Sequence, residues 1–145
     1  MWLSLVILTT LAANAQQTLE RTTMENAIQH KIKIIIGDTT LIATLADSPT
    51  AKDFISLLPL DLKLEDYGGI EKISYLPRKL TEQQAPAGFD PSPGDITYYA
   101  PWGNLAIFYR DFGYAAGLIN LGKIEGDFSE LHRTASPGVR IELHH

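Results

Sequence analysis

The stretch DITYYAPWGNLAIFY, residues 95–109, decides the fold of this chain. Two runs rich in β-branched and aromatic residues, 96–100 and 105–109, flank the turn-forming segment Pro-Trp-Gly-Asn. This arrangement predicts a β-hairpin. Because side chains alternate between the two faces of a strand, the hairpin carries aromatic residues on both faces.

The same strand pattern recurs on both sides of this hairpin. Residues 31–36 and 40–45 flank a Gly-Asp turn and predict another hairpin. In residues 60–65 leucines alternate with charged residues, as in a strand with one face in solvent. Residues 70–76, 118–125 and 139–143 predict three more strands, so the chain is expected to contain about eight.

Two short helices complete the predicted elements. Ser48 can cap a helix that begins at Pro49, and apolar residues at helical spacing, Phe54 and Leu58 among them, continue it to residue 58. Asp127 can cap a second short helix. Short strands without βαβ alternation predict a mostly β domain, a closed or nearly closed antiparallel barrel, because closure removes exposed strand edges.

Composition limits the possible functions. The chain has 145 residues, 45% of them hydrophobic and 20% charged, which suits one globular domain. Its net charge of -5 opposes the phosphate attraction on which nucleic-acid binding depends, so no nucleic-acid partner is expected. The absence of cysteine excludes disulfides, thiolate nucleophiles and thiolate metal ligands.

The N-terminal residues have the features of an export signal. Residues 1–15 contain a short apolar run and end in Ala-Asn-Ala, a signal-peptidase pattern, and the run is too short to span a bilayer. We therefore predict a signal peptide over 1–15, a flexible lead-in over 16–30, and the folded domain over 31–145. The mature protein is then secreted or periplasmic, without a stable membrane anchor. In the alternative, translation starts at Met24 and the domain is cytoplasmic.

Common catalytic signatures are absent from the sequence. It contains no HExxH helix, no Gly-x-Ser-x-Gly elbow and no glycine-rich nucleotide loop. The histidines are scattered or terminal, so neither a metal site nor a cofactor is predicted. The acidic residues Glu65, Asp66 and Glu71 are interpreted as a solvated turn, because nothing near them in sequence provides an apolar setting.

One region stands out as a candidate site, since seven of the 13 aromatic residues lie between positions 98 and 114. Aromatic walls with a few polar groups are typical of grooves for small molecules and peptides. We predict a ligand-binding groove, gated by the irregular loop 81–94 and lined by Tyr98, Trp102, Phe108, Arg110 and Phe112. The alternative is that these aromatics are barrel core, with Arg110 and Asp111 forming an ion pair.

Three stretches, residues 48–54, 94–109 and 118–126, resemble the cyclophilin-like superfamily. They are similar to the first cyclophilin helix, to the glycine-rich hairpin of a small bacterial group of unassigned function, and to the strand and turn before the last helix. The resemblance implies a closed eight-stranded cyclophilin-like β-barrel with a short helix at each end.

The resemblance transfers the fold more fully than the activity. Cyclophilins isomerise prolyl bonds with an arginine, a glutamine, a phenylalanine and a histidine. The corresponding positions here are Ser74 or Tyr75, Ala106, Phe108 and Leu118, so only the phenylalanine is retained. A binding module without isomerase residues is therefore expected. One alternative is an isomerase with a displaced guanidinium, Arg110 or Arg78. The other is a structural or complex-forming domain.

Overall fold

A nine-stranded antiparallel sheet forms most of the computed structural model, which describes residues 10–21 and 29–145. The strands are β1 (Lys31–Ile36), β2 (Thr39–Leu45), β3 (Leu60–Lys63), β4 (Glu65–Tyr67), β5 (Glu71–Tyr75), β6 (Gly88–Phe89), β7 (Asp95–Tyr99), β8 (Asn104–Phe108), β9 (Ala115–Ala116), β10 (Leu118–Ile124) and β11 (Gly138–His144). Their order in the sheet is β3-β11-β1-β2-β10-β7-β8-β5-β4, while β6 and β9 form a separate two-stranded ribbon.

The sheet curls into a nearly closed barrel. Its two end strands, β3 and β4, are separated along the chain only by Leu64, whose side chain is fully buried. The amide of Leu64 donates to the carbonyl of Pro137 at 2.9 Å. The mostly β class and the barrel are thus confirmed. The sheet has nine strands where eight were predicted, because the strand expected over 60–65 divides at Leu64 and pairs with two different partners.

The barrel interior is filled by apolar side chains from the inner faces of the strands. Helix α2 (Pro49–Ile55) adds the fully buried Phe54, and helix α3 (Glu130–Arg133) adds Leu131. The hydroxyl of Ser48 accepts from the amide of Ala51 at 3.2 Å, as predicted for the cap. The helix ends before the predicted residue 58, because the amides of Leu57 and Leu58 bond to carbonyls three positions back.

A second apolar cluster lies on the opposite, outer face of the β7–β8 hairpin. Its buried members are Ala106, Phe108 and Leu118, and the segment that contains β9 packs against it. The inner-face neighbours in β8, Leu105 and Ile107, belong to the main core. The hairpin was predicted almost to its bounds, whereas the β6–β9 ribbon was not predicted.

Helix α1 comprises residues 10–21, all of them exposed. It overlaps the end of the predicted signal peptide and the start of the predicted lead-in, for which no helix was expected. The rest of the predicted signal peptide, residues 1–9, and the alternative start Met24 lie outside the described residues. Within 10–21 and 29–145, no helix has the length and hydropathy that crossing a membrane requires.

Candidate functional site

A pocket of about 640 Å³ opens on the outer face of the barrel, above β5, β7 and β8. Its lining residues are Tyr67, Gly68, Ile70, Glu71, Tyr99, Trp102, Asn104, Phe108, Phe112, Tyr114, Ala115, Ala116 and Leu118. Strands supply the floor of this pocket, and two turns and the segment after β8 supply its walls.

Strand register explains why these side chains meet. Tyr67 pairs with Glu71, and Glu71 pairs with Phe108, so the three side chains form one row across β4, β5 and β8. Asn104 pairs with Tyr99 in a second, parallel row. The rows lie four positions apart along β8, or about 13 Å at roughly 3.3 Å per residue. The pocket is therefore elongated along the strands.

Three rings form one wall of the pocket. The Trp102 ring lies edge-on to Tyr67, with centroids 5.8 Å apart and planes at 83°, and to Tyr99, at 5.4 Å and 78°. Trp102 is held in the turn between β7 and β8, where the amide of Gly103 donates to the carbonyl of Tyr99 at 2.8 Å. The φ angle of Gly103 is +73°, a conformation that favours glycine. The turn thus places the indole at the pocket edge.

The opposite wall comes from the segment after β8. Phe112 lies 6.1 Å from Phe108, ring centroid to ring centroid, and Tyr114 stands beside it. A Cβ on Gly88 would lie 2.5 Å from the Tyr114 hydroxyl, so β6 supports this wall through a close approach that only glycine permits. Phe112 and Tyr114 remain 57% and 64% exposed. Large aromatic side chains left in solvent around a concavity mark an interaction site.

Glu71 carries the one carboxyl group that lines the pocket, and the pKa of this group is shifted. Burial raises its pKa from 4.5 to about 7. Within the described residues the Glu71 side chain has no ion pair or hydrogen bond, and Tyr67 and Phe108 flank it on the neighbouring strands. The interpretation of Glu71 as a solvated turn residue is therefore wrong. Its apolar setting comes from residues far away in sequence, which a local pattern does not reveal.

Asn104 brings a second polar group without a partner. The side chain is 1% exposed and its Nδ2 donates to the carbonyl of Leu105 at 3.1 Å. Its Oδ1 is the one buried side-chain N or O atom in the described part of the chain that lacks a hydrogen bond. Buried polar groups are usually satisfied, so an unpaired acceptor beside a pocket points to a donor supplied by a ligand or water.

Three of the five predicted site residues, Trp102, Phe108 and Phe112, line this pocket together. Tyr98 does not, because it faces inward: it is 1% exposed, and its hydroxyl accepts from the amide of Leu80 at 3.1 Å. Because side chains alternate along β7, the neighbouring Tyr99 lies on the outer face and lines the pocket instead.

The two candidate guanidinium groups lie elsewhere. Arg110 is exposed over the Tyr109 ring, 6.0 Å from its centroid, and does not line the pocket. Arg78 bonds both carboxylate oxygens of Asp53, at 3.1 and 2.8 Å, and holds the pKa of that carboxyl below its usual range. It ties the chain after β5 to α2.

The loop 81–94, predicted to gate the groove, lines a separate cavity of about 280 Å³. None of its residues lines the larger pocket, although Gly88 and Phe89 support it from behind by pairing with Ala116 and Ala115. Across residues 10–21 and 29–145, no group of three or more histidine, aspartate or glutamate residues is placed to hold a metal ion.

Sequence reasoning missed several lining residues. Tyr99 and Tyr114 belong to the aromatic stretch that was recognised, but their faces were not assigned. Asn104 was seen only as a turn residue. Tyr67 and Glu71 gave no signal of their own, since they reach the pocket through the pairing of β4 with β5.

Comparisons with known proteins agree with this architecture. The sequence model of the cyclophilin-like family matches residues 34–143. The fold is similar to the solution structure of a hypothetical protein from Archaeoglobus fulgidus, with a TM-score of 0.59 and 16% sequence identity over 81% of this chain and 96% of that one. A comparison with curated protein sequences finds no match. Since the family match spans most of the folded domain, the chain belongs to the cyclophilin-like family.

Proposed function

We propose that this cyclophilin-like domain is a binding module that holds a small molecule or peptide in the outer-face pocket. The observation that carries the proposal is the pocket itself, about 640 Å³ in volume and walled by aromatic side chains that stay in solvent. Covering such side chains releases water from apolar surface, and each aromatic ring contributes a large contact area. A ligand would cover the aromatic side chains that the fold leaves exposed.

The residues at the isomerase positions favour binding over catalysis. Ala106, Phe108 and Leu118 form the apolar floor cluster and offer no hydrogen-bond donor from their side chains. Neither Arg110 nor Arg78 lines the pocket, so neither is placed to stabilise a twisting prolyl amide there. A prolyl isomerase with a displaced arginine is therefore the weaker candidate, and a purely structural domain leaves the pocket without a role.

We also propose that the domain acts outside the cytoplasm, after cleavage before Gln16. The support is the apolar run and the Ala-Asn-Ala pattern of the first fifteen residues.

A fragment screen tests the binding proposal. The full chain is examined by saturation-transfer NMR with a library of neutral and charged aromatic and aliphatic fragments. We expect fragments that bind the wild type and lose binding at least about tenfold in Trp102→Ala, because one wall of the pocket is removed. Tyr75→Ala is the matched control, since Tyr75 is 64% exposed but does not line the pocket.

Two results contradict the proposal. The first is that no fragment binds. The second is that the binding fragments are equally sensitive to both substitutions. Either result would favour a structural or complex-forming domain.

A further inference from the structure

We infer that the pocket recognises an organic cation, an ammonium group on an apolar body, held between the Glu71 carboxylate and the rings of Tyr67 and Trp102. The inference rests on the proposed function, because it names the ligand class of the same pocket. Three observations support it. They are the acceptor character of Glu71 and Asn104 Oδ1, the aromatic rings that line the pocket, and the distance between Glu71 and Asn104.

The one carboxyl of the pocket and its one buried unpaired polar atom are both acceptors. Glu71 and Asn104 Oδ1 both lack a partner within the described residues. No lysine, arginine, histidine or aspartate lines the pocket, so its other titratable side chains are the phenols of Tyr67, Tyr99 and Tyr114. A ligand that satisfies both acceptors must bring hydrogen-bond donors, and a positive charge compensates the desolvated carboxylate.

Aromatic rings line the pocket together with Glu71. Trp102 stands nearly perpendicular to both Tyr67 and Tyr99, at 83° and 78°. All three rings line the pocket, and cations bind the faces of aromatic rings, indole most strongly. Tyr67 is the direct cross-strand neighbour of Glu71, so ring and carboxylate serve the same end of the pocket.

Burial alone raises the pKa of Glu71 to about 7. In the empty pocket the carboxyl is therefore partly protonated near neutral pH, and a bound cation favours its ionised form. Cation affinity must then rise with pH through this range, and binding must release protons. Arg110, the nearby cation along the chain after β8, lies over Tyr109 and does not line the pocket.

The second acceptor limits the length of the ligand. The rows of Glu71 and Asn104 lie four residues apart along β8, or about 13 Å at the backbone. A ligand that spans the pocket carries its ammonium at one end and a hydrogen-bond donor at the other. Either a free amine or a lysine-type side chain of a peptide has this chemistry.

Calorimetric titration of the full chain tests the inference with a pair of probes of equal shape. Choline carries a trimethylammonium group, and 3,3-dimethylbutan-1-ol replaces the charged nitrogen with carbon. We expect choline to bind at least about tenfold more tightly at pH 8. Its affinity should fall toward pH 6, while that of the neutral probe stays constant. The peptide acetyl-Gly-trimethyllysine-Gly-amide, compared with its neutral norleucine counterpart, shows whether a peptide presents the trimethylammonium group better than a free small molecule does.

The variant Glu71→Gln removes the charge with little change of shape. It should abolish the pH dependence and lower the preference for choline at least about threefold, to what the two rings alone provide. The affinity for choline should change far more than that for 3,3-dimethylbutan-1-ol. The inference is overturned if both cations bind no better than their neutral counterparts in the wild type, or if the preference and its pH dependence are the same in Glu71→Gln as in the wild type. If neutral fragments bind while these cations do not, only the inference fails. If no fragment binds at all, the proposed function fails with it.

Discussion

Glu71→Gln should stabilise the folded domain at alkaline pH. The wild-type carboxyl has a pKa of about 7 in the folded state and close to its ordinary value of 4.5 in the unfolded state. Ionisation therefore favours the unfolded chain, and the wild type loses stability as the pH rises from 4.5 to 7. Below this range the Glu71 carboxyl is protonated in both the folded and the unfolded state, so the wild type loses no stability. Above it the loss is complete.

The size of the effect follows from the difference between the two pKa values. Each pKa unit corresponds to about 1.4 kcal/mol of unfolding free energy. The partial solvent exposure of Glu71 reduces the expected total to on the order of 2 kcal/mol. A glutamine side chain has nearly the shape of a protonated glutamate and cannot ionise. The variant should thus match the wild type at pH 4.5 and exceed its free energy of unfolding by about 2 kcal/mol at pH 8.

Urea unfolding followed by circular dichroism at pH 4.5, 6, 7 and 8 measures this difference. Glu142→Gln is the control, because ion pairs with Lys33 and Arg140, each at 3.1 Å, lower the pKa of Glu142. That substitution should give no gain at pH 8. A difference between Glu71→Gln and wild type that does not change with pH would contradict this prediction, because it would show that Glu71 is not desolvated.

Four further predictions follow from the fold and the sequence. Phe54→Ala should cost about 3 to 5 kcal/mol of unfolding free energy, because it leaves a cavity in the core, and an unchanged melting temperature would place α2 in solvent. Gly122→Ala should lower the melting temperature far more than Gly138→Ala, since a Cβ at 122 meets the backbone of β2 while 138 faces open space; equal effects would contradict this packing. A protease-coupled assay on an X-Pro peptide should show no isomerase activity above background, and robust turnover abolished by Arg110→Ala would reinstate the isomerase. Intact-mass measurement of the native protein should give an N-terminus at or near Gln16, and a species that starts at Met24 would overturn the export proposal.

Local patterns predicted the hairpins well, because turn residues and alternation lie within a few positions of each other. The β7–β8 hairpin was predicted over 96–109, and it spans Asp95–Phe108. The same alternation did not reveal which face is inner. Tyr98 and Tyr99 are adjacent and equally aromatic. Their environments differ because the main core covers the inner face of β7, while the segment that contains β9 packs against the outer face.

The site depended on contacts between distant parts of the chain. Glu71 looks like any charged residue after a glycine turn until β4 and β8 place aromatic rings on both sides of it. Asn104 looks like an ordinary turn residue until its side chain is enclosed. Burial and missing hydrogen-bond partners are properties of the assembled fold. A single sequence therefore predicts aromatic residues of the pocket, but not its polar groups, Glu71 and Asn104.

A crystal structure of the full chain with the tightest-binding fragment of the NMR screen would show whether the outer-face pocket is the binding site. We expect the fragment to lie on the outer face of the barrel, against Trp102 and Phe108, with Glu71 or Asn104 Oδ1 within hydrogen-bond distance of any donor it carries. A fragment bound elsewhere, with Phe112 and Tyr114 folded inward to fill the pocket, would contradict this expectation.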